Sequence, residues 1–118
     1  MRVMVFVKAT EDSEKGFVRT PETDKLFEAM GKFNEELAKA GILRAGDGLK
    51  PSSQGKRVKF DGPSRMVTDG PFAETKELLA GFYLLEAKDM DEALSLAAKI
   101  PPAREGSIEV RPVRELEV

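Results

Sequence analysis

The residues best suited to chemistry lie in one stretch of the sequence, from Met66 to Ala87. There Asp69 precedes Gly70-Pro71, and a polar group, 74–77, follows within a few residues. A carboxylate at the end of an apolar strand, partly removed from water, can act as a general acid or base. An Asp before Gly-Pro can instead accept hydrogen bonds from the backbone N–H groups of a turn. Both interpretations of Asp69 stay open, and the turn-capping one is favoured.

Four further residues are candidates for binding a ligand, and each has a structural alternative. Glu74 and Lys76 can line a cleft and hold a polar ligand, or they can be solvated loop charges. Tyr83 can contact a ligand, or it can pack in the core or at a dimer interface with its hydroxyl paired. Arg44 can neutralise an anionic ligand, or it can pair with an acid at the edge of a sheet.

The chain contains neither cysteine nor histidine. This composition excludes thiolate catalysis, sulfur-ligated metals, and both the commonest general base and the commonest zinc ligand. Acid–base chemistry would therefore rest on carboxylates, Lys, Tyr83 or water. No Asp-rich loop with the spacing of a calcium site is present, so we predict neither a metal site nor a cofactor.

Composition indicates one ordinary globular domain over residues 1–118. Hydrophobic residues make up 41% and charged residues 34% of the chain, and the net charge is -2. This balance gives no general attraction to nucleic acid or to anionic membranes. The apolar run near the N-terminus, Val3 to Val7, is too short for a signal peptide or a membrane span. We therefore expect a cytoplasmic protein that binds neither nucleic acid nor membranes.

Hydrophobic periodicity predicts four main strands and two helices. The segments 2–8 and 81–87 alternate but are apolar on both faces, which predicts strands covered on both sides. Thr20-Pro21 marks the start of a helix whose apolar face includes Leu26, Met30, Phe33 and Leu37. Asp89 and Glu92 have capping-box spacing and begin a second helix. The predicted strands span 2–8, 42–49, 81–87 and 107–113, and the helices span 21–40 and 89–100.

The remaining segments are a predicted loop over 9–19 and a hairpin-like insertion over 50–65. In the first, polar residues surround Gly16. In the second, 57–60 is predicted to be an edge strand. The next segment, 65–68, is predicted to be a short strand in the core, next to the polar group 74–77. In the second helix, Leu94 is expected to face the sheet.

This element order predicts a ferredoxin-like α+β fold, βαββαβ, with both helices on one face of an antiparallel sheet. In that topology 2–8 and 81–87 are the central strands. Two helices cover one face only, and an apolar second face is most economically covered by another copy of the same sheet. We therefore expect a homodimer formed through the helix-free face.

Several motifs resemble those of the YCII-related family, in its DGPF subgroup. The resemblance rests mainly on residues 67–77, which contain Asp69-Gly70-Pro71-Phe72, and on Gly81-Phe82-Tyr83-Leu84 after them. The turn 46–49 and the last strand, 106–113, are also similar to that subgroup. The resemblance covers nearly the whole chain. It implies a ferredoxin-like domain of the dimeric α/β-barrel type, with a cleft beside the sheet.

The same resemblance leaves the function open between two classes. Some relatives have a His and an Asp proposed as an active-site pair, and only the Asp, as Asp69, has a counterpart in this histidine-free chain. The first hypothesis is a noncatalytic module that senses a small molecule or contacts a protein, with a link to transcription control. The alternative is a small enzyme with carboxylate acid–base chemistry near Asp69. The absence of His and Cys favours the first.

Overall fold

A computed structural model describes residues 1–74, 77–101 and 106–115 of the chain. The strands within those ranges are β1 (Arg2–Lys8), β2 (Leu43–Gly48), β3 (Lys56–Asp61), β4 (Ser64–Asp69), β5 (Leu79–Glu86) and β6 (Ile108–Pro112). The helices are α1 (Glu11–Glu14), α2 (Pro21–Lys39) and α3 (Met90–Ala97), with one short 3-10 turn at Ser52–Gln54. None of these helices is both long and apolar enough to cross a membrane.

The main sheet has four antiparallel strands in the order β2-β5-β1-β6. The two strands predicted to be central, β1 and β5, are central. Their registers pair Val3 with Leu85 and Val5 with Tyr83 on one face, and Met4 with Leu84 on the other. The ferredoxin-like α+β prediction is confirmed.

The core lies between one face of this sheet and the helices. Val3, Val5 and Leu85 are fully buried, and they form one cluster with Leu37 of α2 and Ala93 of α3. Because the same sheet face contacts both helices, both helices lie on one side, as predicted. Among the described residues, no helix covers the opposite face of β1 and β5, which we call the open face. It carries Met4, Phe6, Phe82 and Leu84, all half-buried.

Local signals explain most element boundaries. The Thr20 side chain accepts a hydrogen bond from the Thr23 N–H at 3.2 Å and Pro21 is the first helical residue, so α2 begins where the sequence predicted. The same chemistry forms α1 inside the predicted loop, because Thr10 and Ser13 make a reciprocal capping box.

Two expectations about the second half of the chain are wrong. Leu94 does not face the sheet, since it is 51% exposed while Ala93 and Ala97 of the same helix are buried. The strand around Met66 and Val67 is not in the core. It pairs only with β3, in a separate two-stranded sheet, and both residues are exposed.

This separate hairpin, Lys56–Asp69, is called the arm below. Every residue of β3 and β4 is exposed. The radius of gyration of the described structure is 16.1 Å, compared with about 13–14 Å for a compact domain of this length. The arm confirms the predicted hairpin-like insertion and extends the molecule beyond its core.

Candidate functional site

A cavity of about 470 Å³ lies between α2, the α1 segment and the adjoining strands β2 and β5. Its wall is mostly apolar. The lining side chains that matter most below are Phe17, Leu26, Phe27, Met30, Asn34 and Tyr83, with Gly81 in the floor.

The periodicity of α2 sets the helical wall of the cavity. Leu26, Met30 and Asn34 recur at intervals of four residues, so they lie on one face of the helix. On the sheet side, Gly81 leaves the floor without a side chain. A Cβ at Gly81 would lie 3.0 Å from the Asp47 carbonyl oxygen, so the close pairing of β5 with β2 favours glycine there.

A neutral polar pair lies among these apolar residues. The Tyr83 hydroxyl donates a hydrogen bond to Asn34 Oδ1 at 2.7 Å. Tyr83 is 5% exposed, and the Phe33 ring packs edge-on against it at 6.5 Å between centroids. Burial raises the pKa of Tyr83 because the phenolate would lose solvation. Within the described residues the Asn34 amide nitrogen donates to no other group, so this pair can still offer a donor to a ligand.

Aromatic side chains surround the mouth of the cavity. Phe17 and Phe27 contact each other edge-to-face at 5.2 Å between centroids, and they are 41% and 47% exposed. Leu49 extends the apolar rim, and Lys50 places a cation beside it. A small molecule entering here would pass an aromatic rim before it reached the Tyr83–Asn34 pair.

The predicted candidates are distributed over different parts of the molecule. Tyr83 lines the cavity. Asp69 ends β4, is 74% exposed and forms an ion pair with Lys56 Nζ. Glu74 is exposed, and Arg44 Nε lies 3.8 Å from Glu86 Oε2 at the edge of the open face. Lys76 lies outside the described residues. The catalytic role of Asp69 and the ligand-binding roles of the others stay predictions.

The Asp69–Phe72 motif forms the base of the arm. A Cβ on Gly70 would lie 1.8 Å from the Ser52 carbonyl oxygen, so only glycine fits there. The Phe72 N–H donates to Ser52 Oγ at 3.1 Å, and the Arg57 guanidinium stacks on the Phe72 ring at 3.9 Å.

The same motif is connected to the cavity wall through Ser52. Its N–H donates to Glu14 Oε1 at 3.0 Å, and its hydroxyl donates to the other oxygen of that carboxylate. Glu14 follows Ser13, a cavity-lining residue. We call these contacts among Glu14, Ser52, Gly70 and Phe72 the junction.

Sequence reasoning missed Asn34, Met30 and Phe17 as site residues. Asn34 could have been noticed, because it is a polar residue between Phe33 and Leu37 on the apolar side of a helix. Met30 and Phe17 carry no such signal, since apolar residues at helical spacing usually fill a core. In the part of the chain that the structure describes, no three acidic residues lie close enough together to hold a metal ion.

The fold and cavity define an α+β domain with a mostly apolar cavity beside an antiparallel sheet. The profile of the YCII-related domain matches residues 1–117, and the chain belongs to that family. It is 35% identical over 94 residues to the uncharacterized protein R00369 of Rhizobium meliloti (strain 1021), which covers 78% of this chain and 76% of the relative.

A solved structure confirms the fold. It is 5-chloro-2-hydroxyhydroquinone dehydrochlorinase (TftG) from Burkholderia phenoliruptrix AC1100, in complex with 2,5-dihydroxybenzoquinone. The match has a TM-score of 0.56 and 14% sequence identity, and it covers 97% of this chain and 94% of the other. TftG has a ferredoxin-like dimeric α/β-barrel fold. At this level of identity the likeness concerns the fold alone.

Proposed function

We propose that this protein is a noncatalytic, small-molecule-sensing domain whose ligand occupies the cavity beside α2. The observation that carries the proposal is the pairing of Tyr83 with Asn34 among apolar walls. A cavity of about 470 Å³ is within the usual size range of ligand pockets, which are mostly apolar with a few placed polar groups. The sensed signal would reach a protein partner, with transcription control as the proposed setting in the cytoplasm.

The proposed ligand is a small ring compound that bears at least one neutral oxygen. Aromatic and aliphatic side chains favour a flat apolar body, and the Asn34 amide can donate to a carbonyl or hydroxyl oxygen. Phenol, which is neutral at about pH 7, has this chemistry and is the first probe for this chain. The molecule named with TftG, 2,5-dihydroxybenzoquinone, is a ring of similar size but a vinylogous acid that is anionic at neutral pH, so it serves as a second, charged probe.

The proposal is tested by NMR titration of the protein with 2,5-dihydroxybenzoquinone and with phenol. Tyr83 is the only tyrosine in the chain, so its ring signals report on the cavity without overlap. We expect these signals and the Met30 methyl signal to shift together and to saturate. Asn34→Leu should weaken binding about tenfold, because a buried ligand oxygen would lose its donor.

A matched control is Glu35→Gln, on the next residue of α2 but exposed and outside the cavity. It should bind the probe as the unchanged protein does. Shifts distributed over the surface without saturation, or equal binding by Asn34→Leu and Glu35→Gln, would contradict a site at this cavity.

We further propose that two copies of the chain associate through the open face. Met4, Phe6, Phe82 and Leu84 form a contiguous apolar patch there, which another sheet can cover. Phe6→Glu should convert the dimer to a monomer, because an unpaired charge buried at the centre of the interface would weaken association by about 3 kcal/mol or more. Leu94→Glu, at an exposed position of α3, should leave the mass in sedimentation unchanged.

We assign the chain to the DGPF subgroup on the motif Asp69-Gly70-Pro71-Phe72. In this chain the glycine and the phenylalanine of the motif form the junction at the base of the arm. The motif therefore has a structural explanation that requires no catalytic role.

The alternative proposal is a small enzyme in which Asp69 performs acid–base chemistry, with Glu74, Lys76 and Arg44 holding a polar ligand. The observation in its favour is that the structural neighbour TftG is named as an enzyme. Asp69→Asn separates the two proposals. The sensing proposal expects probe binding that Asp69→Asn leaves unchanged, whereas the catalytic one expects a probe bound near Asp69 whose binding Asp69→Asn weakens.

A further inference from the structure

One face of the arm is apolar, and it is exposed in the part of the chain that the structure describes. Val58 and Val67 oppose each other across the hairpin, and Phe60 lies on the same face, two residues along β3. These side chains are 49%, 51% and 73% exposed, respectively. The opposite face includes Arg57, which stacks on Phe72 of the junction. The Val58–Phe60–Val67 face therefore points away from the contacts that anchor the arm.

The arm also lacks support from other strands. Its two strands pair with each other and, within the described residues, with no strand of the main sheet. A two-stranded hairpin with both faces in water is only marginally stable. The exposed apolar face is thus the natural place for a stabilising contact.

The charge of the arm identifies the chemistry of its partner. The arm contains four basic and two acidic residues. The segment 11–39, which forms the α1–α2 side of the cavity, contains eight acidic and five basic residues. A basic arm and an acidic surface in the same chain are complementary. That acidic surface also carries the exposed apolar rim at Phe17 and Phe27, which matches the apolar arm face.

We infer that the arm docks on the α1–α2 surface of a second copy of this chain, with Phe60 against the partner's aromatic cavity mouth. Both halves of the contact are present in each chain, so a two-fold pair can exchange arms and satisfy both copies at once. A six-residue strand is about 20 Å long, and the shortest dimension of the molecule is 19 Å. An arm of this length spans the thickness of one copy, so it can extend to the helix layer of a neighbouring copy.

This inference rests neither on ligand binding nor on the open-face contact. It adds a second contact whose residues lie on the arm and on the α1–α2 surface, and it makes the partner copy part of the cavity mouth. If the arm contact were disproved, the proposals for the cavity and for the open face would still stand.

The first test measures the dissociation constant by sedimentation equilibrium. The double variant Val58→Thr with Phe60→Ser should raise this constant about tenfold or more, since a buried phenyl ring and a methyl group are lost from the contact. Adding Arg65→Glu to the double variant should also weaken the dependence of the dissociation constant on salt, because Arg65 pairs with Phe60 on the same face and carries one of the basic charges of the arm. Met66→Thr is the matched control, because Met66 is 66% exposed on the other face of the arm.

Equal constants for the unchanged protein, the double variant and Met66→Thr would overturn the inference. A monomeric mass for the unchanged protein at the highest concentration would also overturn it. A constant that changes for Phe6→Glu and not for the arm variants would retain the open-face dimer and reject the arm contact.

A second test locates the docking surface directly. Because the chain has no cysteine, Ser64→Cys carries a single spin label at the tip of the arm. Labelled protein is mixed with isotope-labelled, unmodified protein, and only contacts between copies broaden the observed signals. We expect broadening within 11–39, centred on Phe17 and Phe27. Broadening confined to the open face, or none at all, would reject the α1–α2 surface.

Discussion

The cavity and the arm are neighbours in the chain's architecture but are held in place by different means. The cavity walls belong to α2 and β5, which contribute Leu37, Tyr83 and Leu85 to one continuous core. The arm depends on its own ladder and on the junction at Ser52, Gly70 and Phe72. The most distinctive sequence motif therefore supports the least buried part of the molecule, whereas the cavity is built from residues that form no motif.

The polar interactions of the two regions therefore contribute differently to stability. At the cavity, one neutral hydrogen bond joins the buried Tyr83 to Asn34, and a buried polar group that loses its partner is expensive. On the arm, the Lys56–Asp69 pair is exposed, and such pairs contribute little because water solvates both charges. A reacting or recognising group is better supported in the first environment than in the second.

The largest expected effect is at the base of the arm. Gly70→Ala would place a Cβ 1.8 Å from the Ser52 carbonyl oxygen, so the backbone must move and the junction must open. We expect a loss of about 2–4 kcal/mol in the free energy of unfolding, measured by chemical denaturation. Hydrogen exchange should show that the loss begins in the arm.

Gly31→Ala is the control for this change, because a Cβ there meets nothing within 4 Å. It should raise the free energy of unfolding by up to about 1 kcal/mol, as glycine is unfavourable within a helix. If Gly70→Ala were as stable as the unchanged protein, the motif would not anchor the arm in the way described.

Some features of the molecule could be predicted from the sequence and others could not. The central strands β1 and β5 were predictable because they are apolar on both faces, and α2 was predictable from Thr20-Pro21 and its apolar stripe. The Tyr83–Asn34 bond was not, because it joins residues 49 positions apart whose contact depends on how α2 packs on the sheet. The exposure of Met66 and Val67 was also not predictable, since a short apolar strand looks alike in a core and in a hairpin that projects from it.

A smaller effect is expected at the polar pair of the cavity. Tyr83→Phe removes the hydroxyl and leaves Asn34 Oδ1 without its donor, which should cost about 1–2 kcal/mol of unfolding free energy. The matched change on the arm is Lys56→Ala, which removes one partner of an exposed ion pair and should cost less than about 0.5 kcal/mol. Equal costs for the two variants would show that the cavity is no drier than the arm.

The smallest expected effect is a pH dependence of the free energy of unfolding, which the cavity should cause and the arm should not. Burial raises the pKa of Tyr83 above its ordinary value, so the unfolded chain releases the phenolic proton first as pH rises. The stability linked to this group is therefore fully present below about pH 10, the value for an unfolded chain, and is lost as pH rises toward the folded pKa.

As Tyr83 is the only tyrosine, phenolate absorbance follows it alone. The difference in unfolding free energy between the unchanged protein and Tyr83→Phe should shrink over that interval, whereas Val58→Thr on the arm, which removes no titrating group, should retain the slope of the unchanged protein. A phenolate midpoint at or below the unfolded value would mean that water reaches the hydroxyl freely, and the cavity would then lack the buried polar pair on which its proposed selectivity for a neutral oxygenated ring depends.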